Sequence, residues 1–383
     1  MFLPYFRHSI RPGVVNDLCR RNIVTLAGIK NVVDGYWKAI AEDYVFVNIH
    51  GCRAEEIVKD QDLSKKKCLI TGANSGIGLE MTRCMTSRGC EVLMACRNPY
   101  EATTVVKNVC ENPNLLRFYE TNLASLSSVK ASSDEILKKE KNIDVVFLNA
   151  AVFGLPWTLT EDGFETTFQI NYLSQYYLLM NIEKILAPDA RVVFVSSESH
   201  RNINWDAHST LMPSKELLSI PEDKYTSIRA YNVSKLCGLL SMHYLAYRWM
   251  HSQKQVFCAH PGSFVKTRLC RNWWVYEALY TFMKPFSKSI SQAASTPLYC
   301  AFSPELNGVS GIYFKDCKRC TESDIASDLH LSFRVNDLTH DMLRDRVGAF
   351  DDVARASSAL YRQQLKEAVE DTVMSNYSGT INS

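Results

Sequence analysis

The sequence predicts an α/β fold, a doubly wound parallel sheet carrying an amino-terminal extension. Three observations predict it. Short apolar or β-branched runs alternate with longer helical patterns, a glycine-rich turn follows the first of those runs, and 46% of the residues are hydrophobic. Strands are expected at 67–71, 91–95, 116–121, 144–149, 191–196 and 255–259, with stretches between them long enough for helices. That rhythm is the signature of parallel strands joined by helical crossovers. After about residue 321 a polar segment precedes an apolar pattern of helical spacing at 353–373, read as a final helix. The chain therefore divides into an extension at 1–60, the dinucleotide-type α/β domain at 61–370 and a polar tail at 371–383.

Composition narrows the function classes. A net charge of +2 and the lack of long basic runs argue against nucleic acid as a partner. The 13 cysteines are scattered, and Cys68, Cys96 and Cys258 sit inside apolar runs. That placement suits reduced, buried thiols in a cytoplasmic protein better than a disulfide framework. Cys317 and Cys320 form a single C-x-x-C without a second pair, so no metal site is expected. No run of about 18 apolar residues suggests a membrane span. Arg7, Arg11, Arg20 and Arg21 give the amino terminus a basic character. A basic surface segment is preferred there over a mitochondrial presequence.

The first strand leads into Thr71-Gly72-Ala73-Asn74-Ser75-Gly76-Ile77-Gly78 and then a helical stretch. Glycine is needed where a backbone turns tightly and lets a pyrophosphate approach, and the helix that follows aims its free N–H groups at the anion. The strand–turn–helix context makes this a dinucleotide site rather than an ordinary loop. The second strand ends in Ala95-Cys96-Arg97. A carboxylate here would bind a ribose 2′-hydroxyl, and a guanidinium suits a 2′-phosphate. Arg97 therefore favours NADP(H), with NAD(H) as the secondary cofactor.

Tyr231-Asn232-Val233-Ser234-Lys235 opens a helical run extending to about Tyr247. Residues i and i+4 share a helix face, so the phenol and the ammonium can enter one site. A nearby cation stabilises the phenolate and lowers the tyrosine pKa from about 10, which makes the pair a competent acid/base. Asn232-Val233-Ser234 also reads as a glycosylation sequon, discounted because it lies within the site. Upstream stand Ser196-Ser197 at a strand end, Asn149-Ala150-Ala151 at the preceding one, and Asn171 in a helical run at 165–179. Downstream stand His260-Pro261-Gly262 and Thr267.

In order and spacing these motifs resemble the short-chain dehydrogenase/reductase family, over roughly 67–320 and a final helix. The resemblance implies a Rossmann-type sheet and an alcohol–carbonyl hydride transfer. It implies that Thr71, Gly72, Asn74, Ser75, Gly76, Ile77 and Gly78 form the pyrophosphate turn. Asn122, Leu123, Asn149 and Ala150 would flank the adenine-ribose half, and Pro261, Gly262 and Thr267 the nicotinamide. Tyr231 would be the acid/base, and Lys235 would bind the ribose and lower the phenol pKa. Ser197, with Ser196 as its neighbouring candidate, would bond the substrate oxygen. Asn171 would hold a relay water. Two positions depart from the family pattern: Asn122 replaces an aspartate, and Ala151 replaces a glycine.

Further stretches, Ser196 to His200, Asn149 to Trp157 and Arg271 to Tyr276, look most like the catalytic domain of WW-domain-containing oxidoreductases, with retinol dehydrogenases as close relatives. Steroid- or retinoid-like alcohols and ketones are the implied substrates. The apolar stretches containing Trp205, Leu211, Met212, Leu217, Leu218 and Ile220, and then 273–283, suit a lipophilic substrate or a peripheral membrane contact. Plain core or dimer packing is the competing reading. In the extension, Gly35-Tyr36-Trp37 and 44–50 resemble parts of a WW module, while Ile29, Val33, Trp37 and Ile40 fit one helix face equally well. The second ligand-side aromatic and the proline of a WW module are missing, so proline-rich peptide binding is not expected. A homo-oligomer is expected from the family. The rival to an enzyme is a cofactor-binding scaffold or adaptor without turnover.

Overall fold

A computed structural model describes residues 51–98, 110–262 and 288–348, together with positions 100, 102, 104, 106 and 265. In chain order the main elements are α1 (Ala54–Val58), β1 (Lys67–Thr71), α2 (Gly76–Thr86), β2 (Glu91–Cys96), β3 (Leu116–Glu120), α3 (Leu126–Lys139) and β4 (Ile143–Leu148). A π-helical turn (Gln169–Leu173) then runs into α4 (Ser174–Ile182), β5 (Leu186–Val195), α5 (Ser227–Arg248), β6 (Gln255–His260), α6 (Ile290–Phe302), β7 (Ile312–Lys315), β8 (Lys318–Arg319) and α7 (Leu329–Val347).

The eight strands form one sheet in the order β3-β2-β1-β4-β5-β6-β7-β8. All pairings are parallel except β7 with β8. The order reverses direction between β1 and β4, the switch point where open α/β sheets leave a crevice beyond the strand ends. Period-two alternation sends successive residues to opposite faces. Leu69, Leu93, Val146, Val192 and Cys258 join the core beneath α3, α4, α5 and α7. Cys68, Ile70, Met94, Phe147, Val193 and Phe257 join the core beneath α1, α2 and α6. Burial on both faces explains why the strands read as continuous apolar runs.

The expected strands are all present, with small shifts at their ends. β5 starts earlier than expected, at Leu186, and its register against β4 slips between Ile143 and Val145. β7 and β8 were not expected. Nor was α7, which occupies the segment read as polar. Its buried face mixes Leu331, Phe333, Val335, Met342 and Leu343 with Ser332, Asn336, Thr339 and His340, and the polar members reach neighbours through hydrogen bonds. Ser241 Oγ donates to Asn336 Oδ1 (3.0 Å), Tyr172 OH pairs with Thr339 (3.0 Å), and Tyr176 OH pairs with His340 Nε2 (2.8 Å). The polar residues set among the apolar ones blur the hydropathy pattern of such a face. The expected helix at 353–373, the polar tail and the first 50 residues lie outside the described residues.

All cysteines among the described residues are free thiols, and Cys68, Cys96 and Cys258 are buried. No helix among the described residues is long and apolar enough to cross a membrane.

Candidate active site

The glycine turn is built around a buried hydroxyl. Thr71 closes β1 with no solvent exposure, and its Oγ1 accepts from the backbone N–H groups of Asn149 (2.9 Å) and Ala150 (3.0 Å) while donating to Gln175 Oε1 (2.6 Å). The Asn149 side-chain amide donates to the Thr71 carbonyl at 2.9 Å. These bonds join the ends of β1 and β4 at the switch point. The Thr71 side chain therefore shapes the loop from below.

Gly72 and Gly76 adopt positive φ angles of 67° and 52°, a region that disfavours side chains. At Gly78 a Cβ would stand 2.3 Å from the Gly72 carbonyl oxygen and 2.7 Å from Asn149 Nδ2. Only a bare backbone fits there. Ser75 caps α2 without a side-chain bond to its first turn, so the leading N–H groups of the helix remain available to an anion. Asn74, Ser75, Gly76 and Ile77 are all partly exposed. Such a cradle fits a dinucleotide pyrophosphate.

Around the adenine side, Arg97 is exposed directly after β2, and it holds no hydrogen bond or ion pair with another described residue. Asn122 uses its Oδ1 to accept from Ala124 N–H at 3.2 Å. The acceptor that asparagine retains in place of aspartate is thus engaged locally. Leu123 is buried in the core.

The second half of the site stands where α5 crosses β5. The helix begins at Ser227, one turn before the expected start, because the Thr226 hydroxyl caps it by accepting from Arg229 N–H. Tyr231 and Lys235 lie one turn apart, and Lys235 Nζ sits 5.5 Å from the Tyr231 ring centroid. Lys235 is buried and donates to the Val195 carbonyl at 2.7 Å. Burial pushes its ammonium down to about 8. The Phe153 ring meets Tyr231 edge-on, with centroids 5.0 Å apart. Asn232 and Ser234 of the sequon are buried.

Asn171 lies in the π-helical turn, a distortion common at functional sites because it re-aims side chains and frees carbonyls. Its Oδ1 accepts from Val152 N–H (2.7 Å), and its Nδ2 donates to the Val152 carbonyl (3.0 Å) and to Ser234 Oγ (3.1 Å). Ser234 Oγ in turn donates to the Tyr231 carbonyl at 2.7 Å. The side chain therefore braces the tyrosine helix. The Asn171 backbone carbonyl accepts from Gln175 Nε2 at 2.8 Å.

Gln175 is the residue that the sequence did not disclose. Its Nε2 donates to the carbonyls of Ala150, Ile170 and Asn171, and its Oε1 accepts from Thr71. Ile170 and Asn171 belong to the π turn, so this side chain ties that turn to the Thr71 loop. The only sequence signal was a glutamine inside a largely apolar helix.

Ser197 is half-buried at the start of a 3₁₀ turn (Glu198–Asn202), and its Oγ accepts from Ser199 N–H at 3.2 Å. An oxygen held as acceptor leaves its own proton free to be donated. Ser196 is buried, and its hydroxyl finds no partner among the described residues. Past β6, Pro261 is partly exposed and Gly262 has φ 99°. A Cβ on Gly262 would stand 2.5 Å from Lys288 Nζ, and that ammonium pairs with Asp316. Thr267 and the 273–283 stretch lie outside the described residues.

A buried cation beside a phenol, a hydroxyl with its proton free and a bare-backbone anion cradle are the groups that a proton transfer at an oxygen beside a dinucleotide requires. Comparison with known proteins agrees. The profile of the short chain dehydrogenase family matches residues 66–208. The WW domain-containing oxidoreductase of Drosophila melanogaster is 39% identical over 298 residues, covering 77% of this chain and 72% of that protein. Mouse retinol dehydrogenase 12 is 34% identical over 284 residues, covering 73% and 86% respectively. Among solved structures, an uncharacterized protein of Mycobacterium paratuberculosis shares the fold with a TM-score of 0.57 at 24% identity, covering 73% of this chain and 94% of that one.

Proposed function

This chain belongs to the short-chain dehydrogenase family, and we propose that it interconverts a lipophilic alcohol and its ketone or aldehyde, steroid- or retinoid-like, with NADP(H) as the preferred cofactor. Membership makes it an NAD(P)-dependent oxidoreductase of the alcohol–carbonyl couple. The observation that carries the catalytic assignment is the buried Lys235 ammonium, held by the Val195 carbonyl beside the Tyr231 ring.

When bound, the dinucleotide supplies or takes the hydride at carbon. The chain supplies the proton. Tyr231 gives it to the substrate oxygen in reduction and removes it in oxidation, with Lys235 stabilising the phenolate that results. Ser197 donates its free hydroxyl proton as a hydrogen bond to the same oxygen, where negative charge develops. Asn171 and Ser234 hold the tyrosine turn in place. The turn from Gly72 to Gly78 would hold the pyrophosphate, and Arg97 would supply a guanidinium for the 2′-phosphate.

A lipophilic substrate is supported by two features. The segment between Ser197 and Tyr231 exposes Leu211 and Met212 and half-buries Trp205, and one relative is a retinol dehydrogenase by name. The test is a titration of NADPH and NADH, followed by turnover on a panel of steroid, retinoid and short-chain carbonyls. NADPH is expected to bind tighter, by about one to two decades for a charge-assisted contact of roughly 1.5–3 kcal/mol. Arg97→Asp is expected to reverse the order. Equal affinities would remove the NADP assignment, and binding without turnover anywhere on the panel would favour the scaffold.

A further inference from the structure

Behind Ser197 the 3₁₀ turn holds a polar cluster that the proton transfer itself does not use. The His200 ring is buried, with its Nδ1 2.7 Å from the Ser197 carbonyl oxygen. Its Nε2 accepts from the backbone N–H of Ser323 at 3.3 Å. A carbonyl can only accept and a backbone N–H can only donate, so both bonds together require the neutral ring with its proton on Nδ1. Burial also disfavours the charged ring. Tyr313 from β7 meets the ring edge-on, with centroids 5.3 Å apart, and donates to Glu198. Arg201 pairs with Glu198 at 2.9 Å and donates to the Thr321 carbonyl. His200 thus ties the serine turn to the segment ahead of α7.

We propose that His200, as the Nδ1–H tautomer, is a positioning residue for Ser197. Three bonds orient Ser197, all from this one turn: Ser199 N–H fixes the hydroxyl oxygen, and the ring and the backbone N–H of His200 fix the carbonyl. Without the ring bond the carbonyl is held only by the longer 3.3 Å bond from His200 N–H. The Ser197 hydroxyl then loses the fixed direction in which its proton faces the substrate oxygen. The inference rests on the function proposed above, since it assigns Ser197 to that oxygen.

Two substitutions separate the two ring nitrogens. Asparagine places an amide donor where Nδ1 stands, and glutamine places an acceptor near Nε2. In the full-length protein, His200→Gln is expected to lower kcat about tenfold or more, approaching the roughly 10²-fold cost of a misplaced group. KM and NADPH affinity should stay near the parent values, and His200→Asn should recover most of the lost kcat. Rates are normalised to sites titrated with NADPH, so a loss of folded protein does not register as a loss of kcat. Long-range ¹H–¹⁵N correlation NMR of the NADPH-bound parent protein reads the tautomer without turnover, and Nδ1–H is expected. An Nε2–H tautomer, or a His200→Gln enzyme with parental kcat, overturns the positioning role. Absence of turnover in the parent protein on every carbonyl instead overturns the proposed function, and the two failures are distinct.

Discussion

The glycine turn and the tyrosine corner lie on either side of the same switch point and are built on opposite principles. At the turn the working groups are backbone N–H groups, and side chains serve only as scaffolding. Thr71, Asn149 and Gln175 hold the loop, while Gly72, Gly76 and Gly78 keep it bare. At the corner the working groups are side chains, and the backbone serves as scaffolding. The Val195 carbonyl fixes Lys235, and Val152 fixes Asn171. Adding atoms should therefore damage the first region, and removing polar atoms should damage the second. The turn should report in cofactor affinity and the corner in turnover.

Lys235→Met strains that separation hardest, because the proposed roles of the ammonium, on the cofactor ribose and on the phenolate, span both regions. It keeps the volume of the side chain and removes the charge that stabilises the phenolate. Turnover is expected to fall by about 10²–10⁴-fold, with weaker NADPH binding read by fluorescence titration. On the proposed role the parent enzyme needs the charged ammonium, and burial brings its pKa to about 8. Carbonyl reduction should therefore decline as pH rises through that value. The Lys235→Met variant should lack this limb, and a persisting limb would assign it to another group.

Gly78→Ala tests the turn alone. The added methyl meets the Gly72 carbonyl at 2.3 Å, a backbone atom that cannot swing aside. At the roughly 1–3 kcal/mol typical of overpacking, NADPH affinity should drop by about one to two decades. Turnover at saturating cofactor should change far less. A variant whose kcat falls while Kd holds would contradict the division between the two regions.

The smallest effect on function is expected from Thr71→Val. It keeps the shape and strands the Asn149 and Ala150 N–H groups. Each buried group left unsatisfied costs about 1–3 kcal/mol, so the midpoint of urea unfolding should fall clearly. NADPH affinity should move less than in Gly78→Ala. A larger loss of affinity than of stability would mean that Thr71 contacts the cofactor directly.

The two regions also differ in how legible they were. The glycine turn could be read at once, because steric need selects a residue type and the strand–turn–helix context confirms it. Tyr231 and Lys235 could be read from their spacing on one helix face. Gln175 could not, because its importance comes from bonding a π turn to the Thr71 loop, and no local pattern announces that turn. The sheet was legible through strands buried on both faces. α7 was not, because its buried face interleaves Leu331, Phe333, Val335, Met342 and Leu343 with hydrogen-bonded Ser332, Asn336, Thr339 and His340, which blurs the apolar period. β8 escaped for a plainer reason: two residues, Lys318–Arg319, are too few to carry a period.

The central claim is that Tyr231 moves the proton, and Tyr231→Phe tests it most directly. The substitution removes one hydroxyl and keeps the ring that packs against Phe153, so NADPH affinity should match that of the parent. Turnover on the best carbonyl of the panel should fall by at least about 10²-fold, the lower end of what general acid/base catalysis contributes. Retained NADPH binding with near-parental turnover would contradict the account and place the chemistry elsewhere.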